Sequence, residues 1–184
     1  NGMGDGIYGN DSVLTQNVVN VLLLNISSLN ISDLTGIEAF ISLENLDCSV
    51  NNITTLDISN NSALVILDCS NNQLSTLSIV SNPYIIYLNC EDNQFTTLYL
   101  KNNNNINISN ANLWCSGNPN LYCIDVDDAS WSTANWTNID AQHYFDANCA
   151  GGYGCTDPIA CNYDASNIYD DGSCILPDGC TDTA

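Results

Sequence analysis

A mainly β solenoid of about five turns, built from short parallel strands, is the fold class that three features of the chain predict. The segments Leu46-Asp-Cys48-Ser-Val-Asn51, Leu67-Asp-Cys69-Ser-Asn-Asn72 and Leu88-Asn-Cys90-Glu-Asp-Asn93 repeat one stencil at 21 residues, and Leu113-Trp-Cys115-Ser-Gly-Asn118 follows after 25. A fixed period in this range, with Leu two positions before Cys and Asn three after it, is the leucine-rich-repeat pattern. Between these segments lies a second recurring element: Thr55-Leu56-Asp-Ile58, Thr76-Leu77-Ser-Ile79 and Thr97-Leu98-Tyr-Leu100. Both elements alternate apolar and polar residues at period two and are bounded by Asn and Ser, which marks short strands rather than helices.

Each turn is therefore expected to place one strand in each of two parallel sheets, with Leu and Cys inward on one side and Leu with Ile or Leu inward on the other. Turns of this kind stack about 4.8 Å apart. Asn51, Asn72, Asn93 and Asn118 are expected to stack at one corner, their amides satisfying backbone groups that the bend leaves unpaired. Asn61 and Asn82 mark a second corner. Residues 1–42 form an N-terminal lead-in with irregular first turns, and residues 43–122 hold the repeats. The Asn-rich run at 101–112 is an insertion that accounts for the longer last spacing.

Periodicity then fades. Residues 123–149 carry Trp131, Trp136 and Phe145, suited to plug the open apolar end of a solenoid, with Cys123 and Cys149 placed to staple this cap. A helix is expected to start at Asp127 or Asp128. Residues 150–154 (Ala-Gly-Gly-Tyr-Gly) read as a linker. Residues 155–184 are a Cys- and Asp-rich module, and the closing Gly-Cys-Thr-Asp repeats its opening after 25 residues, so a second copy begins as the chain ends.

The 184 residues carry 21 acidic side chains against one Lys, a formal charge of -20. Nucleic acid is excluded as a partner, since phosphate binding needs a cationic stripe. Ten cysteines without zinc or catalytic spacing point to an oxidising exterior. No apolar run is long enough to span a bilayer, and residues 1–6 show no secretory leader.

Candidate chemistry is sparse. The ladder cysteines Cys48, Cys69, Cys90 and Cys115 read as small buried apolar groups, without the His partners of a zinc site. His143, the single histidine, has no nucleophile motif beside it. Asp47 and Asp68, on neighbouring strands, have a separation within glycosidase range. An ordinary exposed face residue is the preferred reading, and no enzyme is expected. The outward positions Asp47, Asp68, Tyr87, Asn89, Glu91 and Trp114 form the expected ligand face, suited to a sugar or a protein loop. For Trp114 the alternative is packing beneath the cap. In the tail, Asp157, Asp164, Asp170 and Asp171 offer clustered oxygen ligands, for which Ca²⁺ is the fitting ion. Cys155–Cys174 is the favoured bridge there and Cys161 with Cys180 a second pairing, although four cysteines permit three connectivities.

The repeat stencil, the lead-in Ile31-Ser-Asp-Leu-Thr-Gly-Ile-Glu-Ala-Phe40 and the segment Asn118-Pro-Asn-Leu-Tyr-Cys-Ile-Asp-Val126 together resemble the leucine-rich-repeat surface proteins of marine Bacteroidetes. Residues 154–174 resemble the Gly-Cys-Thr-Asp…Asp-Asp-Gly-Ser-Cys repeat carried in arrays by large exported proteins of these bacteria. The resemblance implies a segment of a longer adhesin exported by type IX secretion, extracellular at the cell surface. Its partners are then a protein or glycan on another surface, or, for a spacer or filament element, neighbouring domains and copies of itself. Asp11-Ser12-Val13 is similar to the O-glycosylation site of the same group, which implies a glycan on Ser12.

Overall fold

A computed structural model describes residues 15–149, 152–165, 167–170 and 174–177. They fall into two compact units, Asn1–Ala147 and Asn148–Ala184.

In the first unit a one-turn helix, α1 (Thr15–Val18), precedes the strands. Nine strands follow, each of two or three residues: β1 (Leu23–Asn25), β2 (Asn45–Asp47), β3 (Ile66–Asp68), β4 (Thr76–Ser78), β5 (Tyr87–Asn89), β6 (Thr97–Tyr99), β7 (Leu113–Trp114), β8 (Cys123–Asp125) and β9 (Tyr144–Asp146). The chain passes five times through a first parallel sheet ordered β1-β2-β3-β5-β7, and four times through a second ordered β4-β6-β8-β9. Both are mainly β architecture of the leucine-rich-repeat-like kind, with little helix.

Register follows from period-two alternation, because a slip of one residue would turn every inward side chain to solvent. Leu24, Leu46, Leu67, Leu88 and Leu113 lie in register across the first sheet. Leu46, Leu67 and Leu88 are fully buried, and burying each contributes about 2 kcal/mol. The cysteines form the next inward column, and Cys48, Cys69, Cys90 and Cys115 are free and buried. Cys90 Sγ lies 3.4 Å from Cys115 Sγ, and Cys48 Sγ donates to the Asp68 carbonyl at 3.5 Å. Burial, then the nearby charges of Asp47 and Asp68, pushes the Cys48 thiol up to about 12. The thiolate is the reactive form. Buried in the core, these four cysteines should resist a disulfide reagent at pH 8 in the folded chain and react once guanidinium unfolds it. Fast labelling of any of them in the folded chain, located by mass spectrometry, would contradict the buried ladder.

Two positions after each Cys the backbone turns left-handed, at Val50 (φ 54), Asn71 (φ 53), Asp92 (φ 51) and Gly117 (φ 74). Only at the last is glycine required by space, since a Cβ on Gly117 would run into the Asp92 side chain. The bend frees backbone groups, and the Asn that follows satisfies them. Asn72 Nδ2 donates to the carbonyls of Cys48 (3.0 Å), Cys69 (3.1 Å) and Ser70 (3.1 Å), while its Oδ1 accepts from Ile53 N–H (3.0 Å). Asn51, Asn93 and Asn118 repeat the arrangement. At the second corner Asn61 donates to Ile37 and Phe40 carbonyls, and Asn82 to those of Ile58 and Asn61.

The second sheet departs from its expected course at both ends. Residues 55–58 bury Leu56 and Ile58 but take no strand geometry. The preceding turn there is a 3-10 helix, Ile37–Ala39, and the second sheet begins one turn later, at β4. At the other end, residues 123–149 add two more rungs, β8 and β9, to this sheet. Cys123-Ile-Asp-Val126 keeps the alternation with Ile124 and Val126 inward, although Thr has been lost from its first position. Between these rungs lies α2 (Ala129–Asn135), capped by the Asp128 side chain accepting from Trp131 N–H. Trp136 is buried after it, edge-on to Trp131 and Phe145, with its indole N–H on the Ile108 carbonyl at 2.8 Å.

The end of the first sheet is closed by backbone substitutes. Cys115 N–H donates to the Asn138 carbonyl, and Asp140 accepts from Gly117 N–H (3.0 Å) and Asn118 N–H (2.9 Å). His143 is buried beside this carboxylate, with Nδ1 accepting from Asp140 N–H and Nε2 3.2 Å from the Asn118 carbonyl. Desolvation lowers its pKa, opposed by the Asn118 carbonyl and Asp140. The Asn-rich run at 101–112 forms two 3-10 turns, Asn105–Asn107 and Asn110–Asn112, with Asn102 and Asn105 buried.

In the second unit β10 (Gly152–Gly154) pairs in parallel with β11 (Asn167–Asp170). Gly152–Gly154 was expected within a linker. The correction has a simple cause: ladder bonds are made by backbone groups, and Gly still supplies them. Cys155 and Cys174 form a disulfide. Cys123, Cys149 and Cys161 are disulfide-bonded as well. Among the described residues no helix is long and apolar enough to cross a membrane.

Candidate recognition face

The outward face of the first sheet is defined by the neighbours of each inward Leu. The preceding residues line up as Leu23, Asn45, Ile66 and Tyr87, and the following ones as Asn25, Asp47, Asp68, Asn89 and Trp114. Five of the six expected ligand-face residues thus share two adjacent columns. The sixth, Glu91, lies two positions beyond Asn89, where the preceding turns have Ser49 and Ser70, and receives the Ser116 hydroxyl.

The polar column is held by its own hydrogen bonds. Asp47 Oδ1 accepts from Ser49 N–H and Oγ (2.7 Å), and Oδ2 from Asn25 Nδ2 at 2.9 Å. Asp68 repeats this with Ser70 Oγ (2.6 Å) and Asn89 Nδ2 (3.1 Å). Two carboxylates therefore sit side by side, each fixed at both oxygens by neutral donors. The chain's single Lys, Lys101, is paired elsewhere, with Asp125 at 3.1 Å.

The adjoining apolar column is wider than the sequence pattern showed. Ile66 is 36% exposed and Ile86 41%. Ile86 N–H bonds the Val65 carbonyl, which sets Val65 and Ile86 on adjacent turns next to Ile66 and Tyr87. Strict period-two alternation does not assign Val65 and Ile86 to this face. The legible signal is the apolar stretches Leu64-Val65-Ile66-Leu67 and Ile85-Ile86-Tyr87-Leu88, in each of which only the first and last residues are fully buried. Burial, then Asp68, Glu91 and Asp47, raises the Tyr87 phenol, so it stays a neutral donor. Trp114 keeps 36% of its surface, with its indole N–H on the Ala111 carbonyl at 3.1 Å.

The tail residues are described only in part. Asp157 Oδ1 accepts from Ile159 N–H at 3.0 Å, and Asp164 N–H faces the Cys155 carbonyl at 3.4 Å. Asp170 is in β11, while Asp171, Cys180 and Ser12 lie outside the described residues. Among the described residues no group of three or more His, Cys, Asp or Glu is arranged to hold a metal.

No protein-family model and no curated protein matches the sequence. Among solved structures, the chain is similar to the functional domain of InlJ from Listeria monocytogenes, described as including a cysteine ladder. The match has a TM-score of 0.54 at 34% identity over 61% of this chain. It spans 24% of the InlJ chain. A cysteine ladder is thus a feature this chain shares with that structure. The likeness supports the leucine-rich-repeat-like fold.

Proposed function

We propose that the five passes are turns of a leucine-rich-repeat solenoid whose first sheet is a non-catalytic, protein-binding face of an extracellular surface protein. One observation carries the reading: exposed Ile66 and Ile86, with half-buried Tyr87, adjoin the pinned carboxylates of Asp47 and Asp68 on one regular surface. An apolar centre rimmed by polar groups is the anatomy of a recognition patch. The likeness to InlJ supports an interaction role, and the disulfides fit an oxidising exterior. Membership of a large adhesin of the Bacteroidetes type is part of the same proposal and rests on the sequence resemblance.

The test is binding of the labelled chain to protein and glycan arrays, comparing it with an Ile86→Ser/Tyr87→Ala variant and a Tyr99→Ala control on the second sheet. Capture of protein ligands that falls at least about tenfold in the face variant alone is expected, because centrally buried aromatic anchors dominate such contacts. Equal capture by all three chains would place recognition elsewhere. Absence of capture together with ordered polymers of the chain would make it a spacer.

A further inference from the structure

We infer that the first sheet's face takes a basic amphipathic protein segment, with an Arg or Lys side chain set against Asp47 and Asp68 and an apolar residue on Ile66 and Tyr87. The inference deepens the protein-binding reading and rests on it. The two carboxylates occupy in-register positions on adjacent strands, so about 5 Å separates them. Each carboxylate has about four acceptor sites, and the bonds from Ser and Asn occupy three, leaving capacity directed outward. No positive side chain answers them, since Lys101 is engaged at Asp125. A planar guanidinium offers donors on more than one edge and bridges two such neighbours.

Chemistry next to the pair fits the same occupant. Tyr87, two residues before Asn89 and beside Asp68 and Ile66, gives a ring face for a cation and a wall for an aliphatic stem. A second copy of this chain is disfavoured on this face, because a chain of charge -20 would bring carboxylates against carboxylates. An acidic or neutral segment leaves the Asp pair uncompensated beneath it. The face thus selects for positive charge first and apolar shape second.

Three synthetic peptides test this: one of alternating Arg and Leu, its Gln-for-Arg analogue and its Glu-for-Arg analogue, each titrated into the full chain by amide NMR. The Arg peptide is expected to shift amides of β2, β3 and β5, the Gln analogue to bind at least about tenfold more weakly, and the Glu analogue not to bind. Raising NaCl from about 20 to about 300 mM, which shortens the screening length from ~20 to ~6 Å, should weaken the Arg peptide alone. Asp47→Asn/Asp68→Asn, which keeps side-chain shape and the oxygen that accepts from Ser49 and Ser70, should weaken it about tenfold while circular dichroism shows the fold retained. If the Gln analogue binds this face equally well, protein binding stands and the basic partner falls. Shifts spread over the whole acidic surface, unaltered in the double variant, would also overturn the inference. Should no peptide perturb the face while chito-oligosaccharides do, the protein-binding reading falls with it.

Discussion

Asn72→Ala is expected to destabilise the chain by about 2–4 kcal/mol, with the melting temperature lower by about 5–12 °C. The side chain looks modest, but it makes four hydrogen bonds, one of which satisfies a buried backbone N–H, that of Ile53. Truncation leaves Ile53 N–H without its acceptor in a buried setting, while the carbonyls of Cys48, Cys69 and Ser70 each lose one of two donors and keep Asn51 Nδ2, Asn93 Nδ2 and Val50 N–H. An orphaned buried group costs about 1–3 kcal/mol, far more than a hydrogen bond contributes when both partners are removed. Thermal melts monitored by circular dichroism would check this. A loss under about 1 kcal/mol would mean that water enters the corner and takes over the amide's role.

Trp136→Ala is the second large effect, a destabilisation of about 3–5 kcal/mol. The ring is 1% exposed and lies between Trp131 and Phe145 at centroid distances of 5.6 and 5.5 Å. Its removal opens a cavity and also deprives the Ile108 carbonyl of its donor. Trp136→Phe should recover most of the packing but not that bond, leaving about 1–2 kcal/mol of the loss. Hydrogen exchange should show the damage concentrated in β8, α2 and β9, since repeat architectures transmit instability mainly to neighbours. Uniform loss of protection over β1 to β7 would argue against such local coupling.

Much of this architecture was readable from residue spacing alone. Leu and Cys at a constant separation determine an inward column, and an Asn three positions after Cys has one physical task, so the corner was predictable. Harder to read were places where geometry persists without its usual letters. Cys123-Ile-Asp-Val126 and Tyr144-Phe-Asp146 continue the second sheet with Cys and Tyr where Thr stood, and only burial of Ile124 and Phe145 shows it. The face was half legible. Outward Asp47 and Asp68 follow from alternation, whereas the breadth of the apolar column depends on Val65 and Ile86, at a position between strand and corner that no period-two pattern assigns.

The corner amides share one direction. Asn51 reaches back to the Ile26 carbonyl, Asn72 to Cys48, Asn93 to Cys69 and Asn118 to Cys90, and at the other corner Asn61 and Asn82 also reach back. Each coil is therefore latched by the one that comes after it, and Asn138 and Asp140 stand in for the successor that the last coil lacks. A chain emerging amino end first closes like a ratchet: every coil stays unlocked until the next is laid upon it, and the final click belongs to the segment around Asp140.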